Sequence, residues 1–163
     1  MISVCLATYN GELFLKEQLT SILKQLGDSD EVVVSDDGST DLTLTILQEF
    51  NDPRIKVFHH DKRKQKCSFD YATHNFENAI NNSSGDVIFF SDQDDIWVPE
   101  HLSILLKKIK IGNFSLVGGN ALLVDSDNND LGCKLINNNT FPIERFCYES
   151  LLLHRNIFQG SAI

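Results

Sequence analysis

Residues 85–99 read Gly-Asp-Val-Ile-Phe-Phe-Ser-Asp-Gln-Asp-Asp-Ile-Trp-Val-Pro, an apolar run that ends in three carboxylates, Asp92, Asp94 and Asp95. A buried strand over Val87 to Phe90 carries whatever follows it to the carboxyl edge of a sheet, where open α/β folds bind ligands. Asp92, Gln93 and Asp94 are therefore expected in a cleft. If the chain is still extended there, Asp92 and Asp94 point the same way, because alternate strand residues share a face. Two hard oxygen donors without histidine or cysteine suit Mg²⁺ or Mn²⁺ better than zinc. Mg²⁺ is usually held by one or two carboxylates together with substrate phosphates, so the pattern calls for a phosphorylated ligand.

A second acidic turn, Asp36-Asp37-Gly38-Ser39, follows the apolar run Glu31 to Ser35 and belongs at the same sheet edge. A carboxylate there can accept hydrogen bonds from ribose hydroxyls or a base N–H. The plainer reading is that Asp36, Asp37 or Ser39 forms the turn and caps a helix. The sequence has neither Gly-x-Gly-x-x-Gly nor a Walker lysine loop, so phosphate charge must be met elsewhere. The metal pair meets it.

The elements that position these residues alternate along the chain. Ile2 to Ala7 reads as a strand and Thr8-Tyr9-Asn10-Gly11 as a turn, after which Leu15, Leu19, Ile22, Leu23 and Leu26 fall at helical spacing. The unit recurs after Glu31 to Ser35: Leu42, Ile46, Leu47 and Phe50 mark the inner face of a helix, with Ser39 as its N-cap and Asp41 in its first turn. Ile55 to Phe58 gives a third strand. Phe69, Ala72, Phe76, Ala79 and Ile80 trace one face of a third helix, which Ser83-Ser84-Gly85 ends. Pro99 suits the first turn of a fourth helix that turns Leu102, Leu105, Leu106 and Ile109 inward.

This rhythm predicts an α/β protein with a mostly parallel, Rossmann-like sheet flanked by helices and right-handed crossovers. Beyond Ile111, Leu116-Val117 and Ala121 to Val124 read as strand. The turn-rich stretch Asp125 to Asp130 and then Cys133 to Ile136 predict a β-hairpin. Asp125, Asp127 and Asp130 lack the glycine and glutamate of a calcium loop, so a solvated turn is expected. Glu144 to His154 reads as helix, and residues 156–163 as an entering strand.

At 163 residues the chain fits one domain. A net charge of −9 argues against a nucleic-acid partner, whose phosphates demand clustered Lys and Arg. The one basic cluster, Lys62-Arg63-Lys64-Gln65-Lys66, is expected to be a solvated loop; the sharper alternative is a clamp near an anionic donor or a membrane surface. With no signal-peptide pattern and no apolar run near the ~18 residues of a span, the expectation is a cytoplasmic protein with at most peripheral contact at the inner face of the membrane. Cys5, Cys67, Cys133 and Cys147 form no Cys-x-x-Cys pair, which speaks against a zinc site or a redox motif. Cys5, inside the first strand, is expected as a small buried hydrophobe.

Three motifs in this order resemble the family-2 glycosyltransferases of the GT-A fold. Their first strand ends in a Thr-Tyr-Asn-type turn, here Ala7-Thr8-Tyr9-Asn10, and their second in Asp-Asp-Gly-Ser-Thr-Asp, here Asp36 to Asp41. Their Asp-x-Asp metal motif matches Asp92-Gln93-Asp94, and the Ser-Asp-Gln-Asp-Asp-Ile-Trp form is most similar to bacterial rhamnosyltransferase-like members that build surface polysaccharides. The resemblance covers Met1 to about Val124 well. It implies a single GT-A-type domain over 1–163, with 1–111 as the nucleotide-sugar-binding half and 112–163 as the start of an acceptor-side half, in a chain expected to be part of a longer enzyme.

By the same resemblance, Ala7, Thr8 and Tyr9 line the base and ribose. Asp37 reads the base, with Asp36 a lesser candidate. Asp94 ligates the metal on the donor diphosphate, Asp92 lies near the ribose and donor sugar and shares the metal site, and Asp95 stands behind them. The implied reaction is inverting transfer of a sugar from a nucleotide-diphosphate-sugar donor to a glycan or lipid-linked acceptor, assisted by Mg²⁺ or Mn²⁺. The family's catalytic base lies after the strand that would begin near Phe158, so it is expected beyond Ile163. Glu144 and Glu149 read as surface helix residues. The alternative is a nucleotide-sugar-binding module without transfer activity. A nucleotidyltransferase ranks lower because no basic glycine-rich loop follows the first strand, and a receiver domain because the acid pair follows the second strand rather than the first.

Overall fold

The computed structural model describes residues 1–60, 68–113 and 115–135. The basic cluster at 62–66, Cys67, Cys147, the side chain of Phe69, the helix expected over 144–154 and the strand-like stretch 156–163 lie outside the described residues. Ten elements follow in order: β1 (Ile2–Thr8), α1 (Leu15–Leu23), β2 (Glu31–Asp36), α2 (Thr43–Glu49), β3 (Ile55–His59), α3 (Ser68–Asn81), β4 (Val87–Asp92), α4 (His101–Gly112), β5 (Leu122–Val124) and β6 (Asp130–Lys134). The first four strands form one parallel sheet in the order β3-β2-β1-β4, and β5 and β6 pair apart from it as an antiparallel hairpin.

The sheet is covered on both faces, which explains the unbroken apolar strands. Val4 and Leu6 point to the face packed by Leu15, Leu19 and Ile22 of α1, Leu47 of α2 and Leu102 and Leu105 of α4. Cys5 and Val33 point to the other face, where Ala79 of α3 packs with Phe58, Ile88 and Phe90. Burial, with the Glu31 charge second, pushes the Cys5 thiol up to about 12, so it sits in the core as an inert thiol. At the amino edge the buried Glu31 carboxylate accepts hydrogen bonds from Ser3 Oγ of β1 at 2.6 Å and Ser84 N before β4 at 2.6 Å, and pairs with Lys56 of β3. One side chain thus ties together all four strands.

Several boundaries differ from the expectation. Ser39 does not cap α2: its hydroxyl turns back to Asp36 and accepts Asn10 N, while Asp41 Oδ1 accepts Thr43 N at 3.0 Å and takes the capping role. Leu42 accordingly lies outside the helix and is 60% exposed. On α3, Ala72 and Ile80 are exposed and Asn75 is buried, because Asn75 and Asn78 face the strands and donate to Thr8 O and Ser35 Oγ. Polar residues there replace the expected apolar face because backbone and hydroxyl acceptors are waiting for them. Pro99 stands before α4, since Glu100 adopts a left-handed φ of +67° and the helix opens at His101. Leu116-Val117 is not a strand, although Val117 packs against the core. Strand β6 begins at Asp130, earlier than expected, and Ile136 is outside the described residues. The Asp125 carboxylate accepts Asp127 N and Asn129 N at 2.9 Å and so holds the turn, while Asn128 Nδ2 donates to the Glu17 carboxylate of α1.

Candidate functional site

The chain lays down β1, β2 and β3 in one direction and then places β4 on the opposite side of β1. The crevice outside the carboxyl ends of β1 and β4 is therefore the topological switch point, where α/β sheets bind ligands. Register fixes what meets there: Ala7 of β1 stands beside Asp92 of β4, and Thr8 beside Asp36 of β2. Two strand spacings separate the two acidic ends by about 10 Å, the scale of a nucleoside.

The turns after β1 and β2 are fastened to each other. Asn10 N donates to Ser39 Oγ at 2.9 Å, Thr40 N to Asn10 Oδ1 at 2.8 Å, Gly11 N to Thr43 Oγ1 at 2.8 Å, and Leu42 N to Glu12 Oε2 at 2.9 Å. Asn10 and Gly38 hold positive φ, +50° and +77°, which asparagine tolerates and glycine adopts without strain.

Inside this clasp the candidate nucleotide-binding residues occupy different depths. Asp36 is fully buried, and its carboxylate accepts Gly38 N at 3.0 Å, Ser39 N at 2.9 Å, the Ser39 hydroxyl and Thr8 Oγ1 at 3.1 Å. It organises the turn. Thr8 is also buried, and its carbonyl accepts Asp37 N at 2.9 Å and Asn75 Nδ2 at 3.1 Å. Ala7 is half-buried at the end of β1. Asp37 is almost buried and lies 3.0 Å from Nδ1 of His60, the residue just past β3. Tyr9 is 49% exposed.

Strand β4 ends at Asp92, and Gln93 and Asp94 form a turn, so strand alternation does not align Asp92 with Asp94. The turn gathers the acids instead. Burial first, and then the Asp94 charge, raises the Asp92 carboxyl; burial, Asp92 and Asp94 together push Asp95 up to about 7. Among the described residues no cation pairs with any of the three.

Helix α1 and the turn after it pin this segment with a polar stripe at helical spacing. Gln18 Nε2 donates to Ser91 Oγ, Ser21 Oγ accepts Trp97 N at 3.0 Å, and Gln25 donates to Val98 O at 3.1 Å and accepts Leu102 N at 3.0 Å. Trp97 is core, 5% exposed, tilted against Phe89 and His101.

The donor set fits a hard divalent cation. Asp92 and Asp94 offer oxygen only, and a bound cation would offset the burial and the Asp94 charge that together raise Asp92. Among the described residues no three His, Cys, Asp or Glu side chains form a ready-made cage.

The family model of glycosyl transferase family 2 matches residues 3–157. The chain belongs to this family. It is 30% identical over 127 residues to the UDP-Glc:alpha-D-GlcNAc-diphosphoundecaprenol beta-1,3-glucosyltransferase WfgD of Escherichia coli, covering 78% of this chain and 48% of the relative. It is 34% identical over 120 residues to the dTDP-rhamnosyl transferase RfbG of Shigella flexneri, covering 72% and 41%. The chain thus spans less than half the length of either. Its fold is that of the GT-A glycosyltransferases. It overlays the S. aureus TarS 1-349 complex with UDP-GlcNAc at a TM-score of 0.60 and 30% identity, over 71% of this chain and 32% of the other. The Mycobacterium tuberculosis glucosyl-3-phosphoglycerate synthase complex with Mn²⁺, UDP and phosphoglyceric acid follows at 0.52 and 27%, over 67% and 38%.

Residue types alone did not single out His60, Asn75 or the Gln18-Ser21-Gln25 stripe. The stripe carried a signal, three polar residues at helical spacing beside the apolar face. His60 and Asn75 carried none, because their partners lie 23 and 67 residues away.

Proposed function

We propose that this chain forms the nucleotide-sugar-binding part of a glycosyltransferase. The whole protein moves a sugar from a nucleoside-diphosphate-sugar to a glycan or lipid-linked acceptor in bacterial surface polysaccharide synthesis, with inversion and with Mg²⁺ or Mn²⁺. The observation that carries this reading is the meeting of Tyr9, Asp37 and the Asp92–Asp95 turn at the switch point of a family-2 sheet.

In this reading the Tyr9 ring and the backbone of Ala7 and Thr8 line the base and ribose. Asp37, steadied by His60, accepts a base N–H. Asp92 and Asp94 would hold the divalent cation at this edge. A bound Mg²⁺ or Mn²⁺ neutralises the charge that develops on the departing diphosphate. The clasped turns keep these groups in place before the donor arrives, so little ordering is left for binding. The residue that takes the proton from the acceptor hydroxyl is assigned to none of the described residues.

The named activities of relatives support this: WfgD acts with UDP-Glc on a diphosphoundecaprenol-linked sugar and RfbG is a dTDP-rhamnosyl transferase, while the mycobacterial synthase was crystallised with Mn²⁺ and UDP. In this reading the chain works in the cytoplasm, at the inner face of the membrane, where a lipid-linked acceptor would be reached. No described helix is long and apolar enough to cross it.

The test is calorimetric titration with UDP, dTDP and GDP, each with Mn²⁺ and with EDTA. Metal-enhanced binding of one of them, lost in Asp94→Ala at unchanged thermal stability, is the expected result. Absence of binding to all three, or a full metal effect in Asp94→Ala, refutes the reading.

A further inference from the structure

The middle residue of the acidic motif does not face the metal position. Gln93 reaches back across the crevice to the turn after β1, where its Oε1 accepts Tyr9 N at 2.8 Å and its Nε2 donates to Tyr9 O at 3.1 Å. The β1–β4 ladder has its last rung at Ala7 and Asp92, so the Gln93 amide adds one more doubly bonded rung beyond it. Only a primary amide can do this, because it carries a donor and an acceptor side by side. An ionised glutamate would accept from Tyr9 N but has no hydrogen to donate to Tyr9 O. An asparagine is one methylene too short. Gly11 is matched to the same contact: a Cβ there would lie 2.5 Å from Gln93 Oε1 and 2.9 Å from Gln93 Cδ. The chain leaves out a side chain at 11 where the amide must pass.

Resting on the reading of this edge as a nucleoside-diphosphate and cation site, we propose that Gln93 is a positioning residue that locks the turn carrying Tyr9 to the turn carrying Asp92 and Asp94, so that base recognition and metal-held diphosphate recognition reinforce each other. A nucleoside diphosphate bridges the two turns. Its two ends are satisfied together only if the turns keep a fixed separation, and loss of that registry weakens the joint contact far more than either contact alone. Gln93 also engages both the N–H and the C=O of Tyr9.

The experiment compares the chain with Gln93→Ala, Gln93→Glu and Gly11→Ala. Calorimetry gives the ratio of UDP dissociation constants in EDTA and in Mn²⁺, and hydrogen exchange gives the protection of the Tyr9 amide in the ligand-free chain. Gln93→Ala and Gly11→Ala should cut the metal enhancement by about tenfold or more, as the loss of two hydrogen bonds implies, while UDP affinity in EDTA changes little. Both should also expose the Tyr9 amide to exchange. Gln93→Glu should keep that amide protected yet lose the enhancement. An unchanged enhancement ratio in Gln93→Ala, an equal loss with and without metal, or an unaltered Tyr9 amide overturns the inference alone. No UDP binding by the unsubstituted chain, or binding with no metal effect, overturns the donor-site reading together with it.

Discussion

Replacing Glu31 separates what holds the sheet from what the sheet carries. The side chain is 3% exposed and its carboxylate takes hydrogen bonds from Ser3 and Ser84 as well as the Lys56 ammonium. Burial by itself would raise its pKa, but Lys56, Ser3 and Ser84 outweigh that and leave it below its ordinary value of 4.5. Lys56 is half exposed, so its share is discounted to below about 1 kcal/mol by solvent screening. The two buried bonds to the charged oxygens dominate. Glu31→Ala should therefore cost about 3 kcal/mol near neutral pH, with Ser84 N left unpaired. For a domain of this size that is about 6–12 °C in Tm.

Glu31→Gln keeps the shape but loses the charge, and should fall about midway. The sign of its pH dependence follows from the depressed carboxyl. The stabilisation is fully present above the ordinary glutamate range and is lost as pH falls through the lower folded-state value. The gap between the unsubstituted chain and Glu31→Gln should close in acid. Urea unfolding from neutral pH down to acid measures it, with nucleotide affinity of the folded protein as a control that should not move. Equal stability at neutral pH, or a gap that persists undiminished in acid, would refute the reasoning.

At the opposite edge, Asp37→Ala should weaken UDP binding in EDTA by about 1–3 kcal/mol, and His60→Ala by less, because the histidine acts only by steadying the carboxylate; calorimetry on both checks the order. Gly38→Ala should lower stability by about 1–2 kcal/mol, since φ of +77° forces the added Cβ against the backbone; a melt indistinguishable from the unsubstituted chain would count against the turn geometry. Arg54 donates to Leu23 O at 3.3 Å and Leu26 O at 2.9 Å at the end of α1 while pairing with Asp52. Arg54→Ala should cost about 1–2 kcal/mol in thermal unfolding and speed amide exchange in the last turn of α1 first.

Local chemistry made most of the frame legible. Strands β1, β2 and β4 are apolar runs bounded by polar turns, and the leucines and isoleucine of α1 keep one face, so period and punctuation located them before any contact was known. The readings that slipped did so where a side chain had to choose among partners. Ser39 had two uses as good as capping, and Asp41 was left to cap α2. Ala72 and Ile80 look like a core face only if Asn75 and Asn78 are assumed to avoid the sheet; the acceptors at Thr8 O and Ser35 Oγ make the opposite choice favourable. The acids of the site were visible because their types were informative. Their spatial relation was not, since it rests on a turn at Gln93 and not on strand alternation.

The acids after β4 differ in electrostatic kind both from Glu31 at the amino edge and from Asp36 at their own edge, whose carboxylate accepts four hydrogen bonds. Glu31 at the amino edge is a buried acid surrounded by donors and held below its ordinary pKa. Asp92 and Asp95 at the carboxyl edge are acids that burial and their own neighbours push upward, with no described cation pairing with them. Both edges are built by the same strands, so the fold can supply donors to an acid. Around the acids after β4 it spends the Gln18 amide on the Ser91 hydroxyl, and the Ser21 hydroxyl and Gln25 amide on the backbone of Trp97, Val98 and Leu102, instead. An arrangement that rigidifies repelling charges without neutralising them lowers stability by itself, and in the proposed function a bound cation would relieve that cost. None of these anchoring hydrogen bonds uses the carboxylate of Asp92, Asp94 or Asp95. Removing Asp94 should therefore leave Tm unchanged or raised while it removes the metal effect, and a lowered Tm would place Asp94 among the structural acids with Glu31.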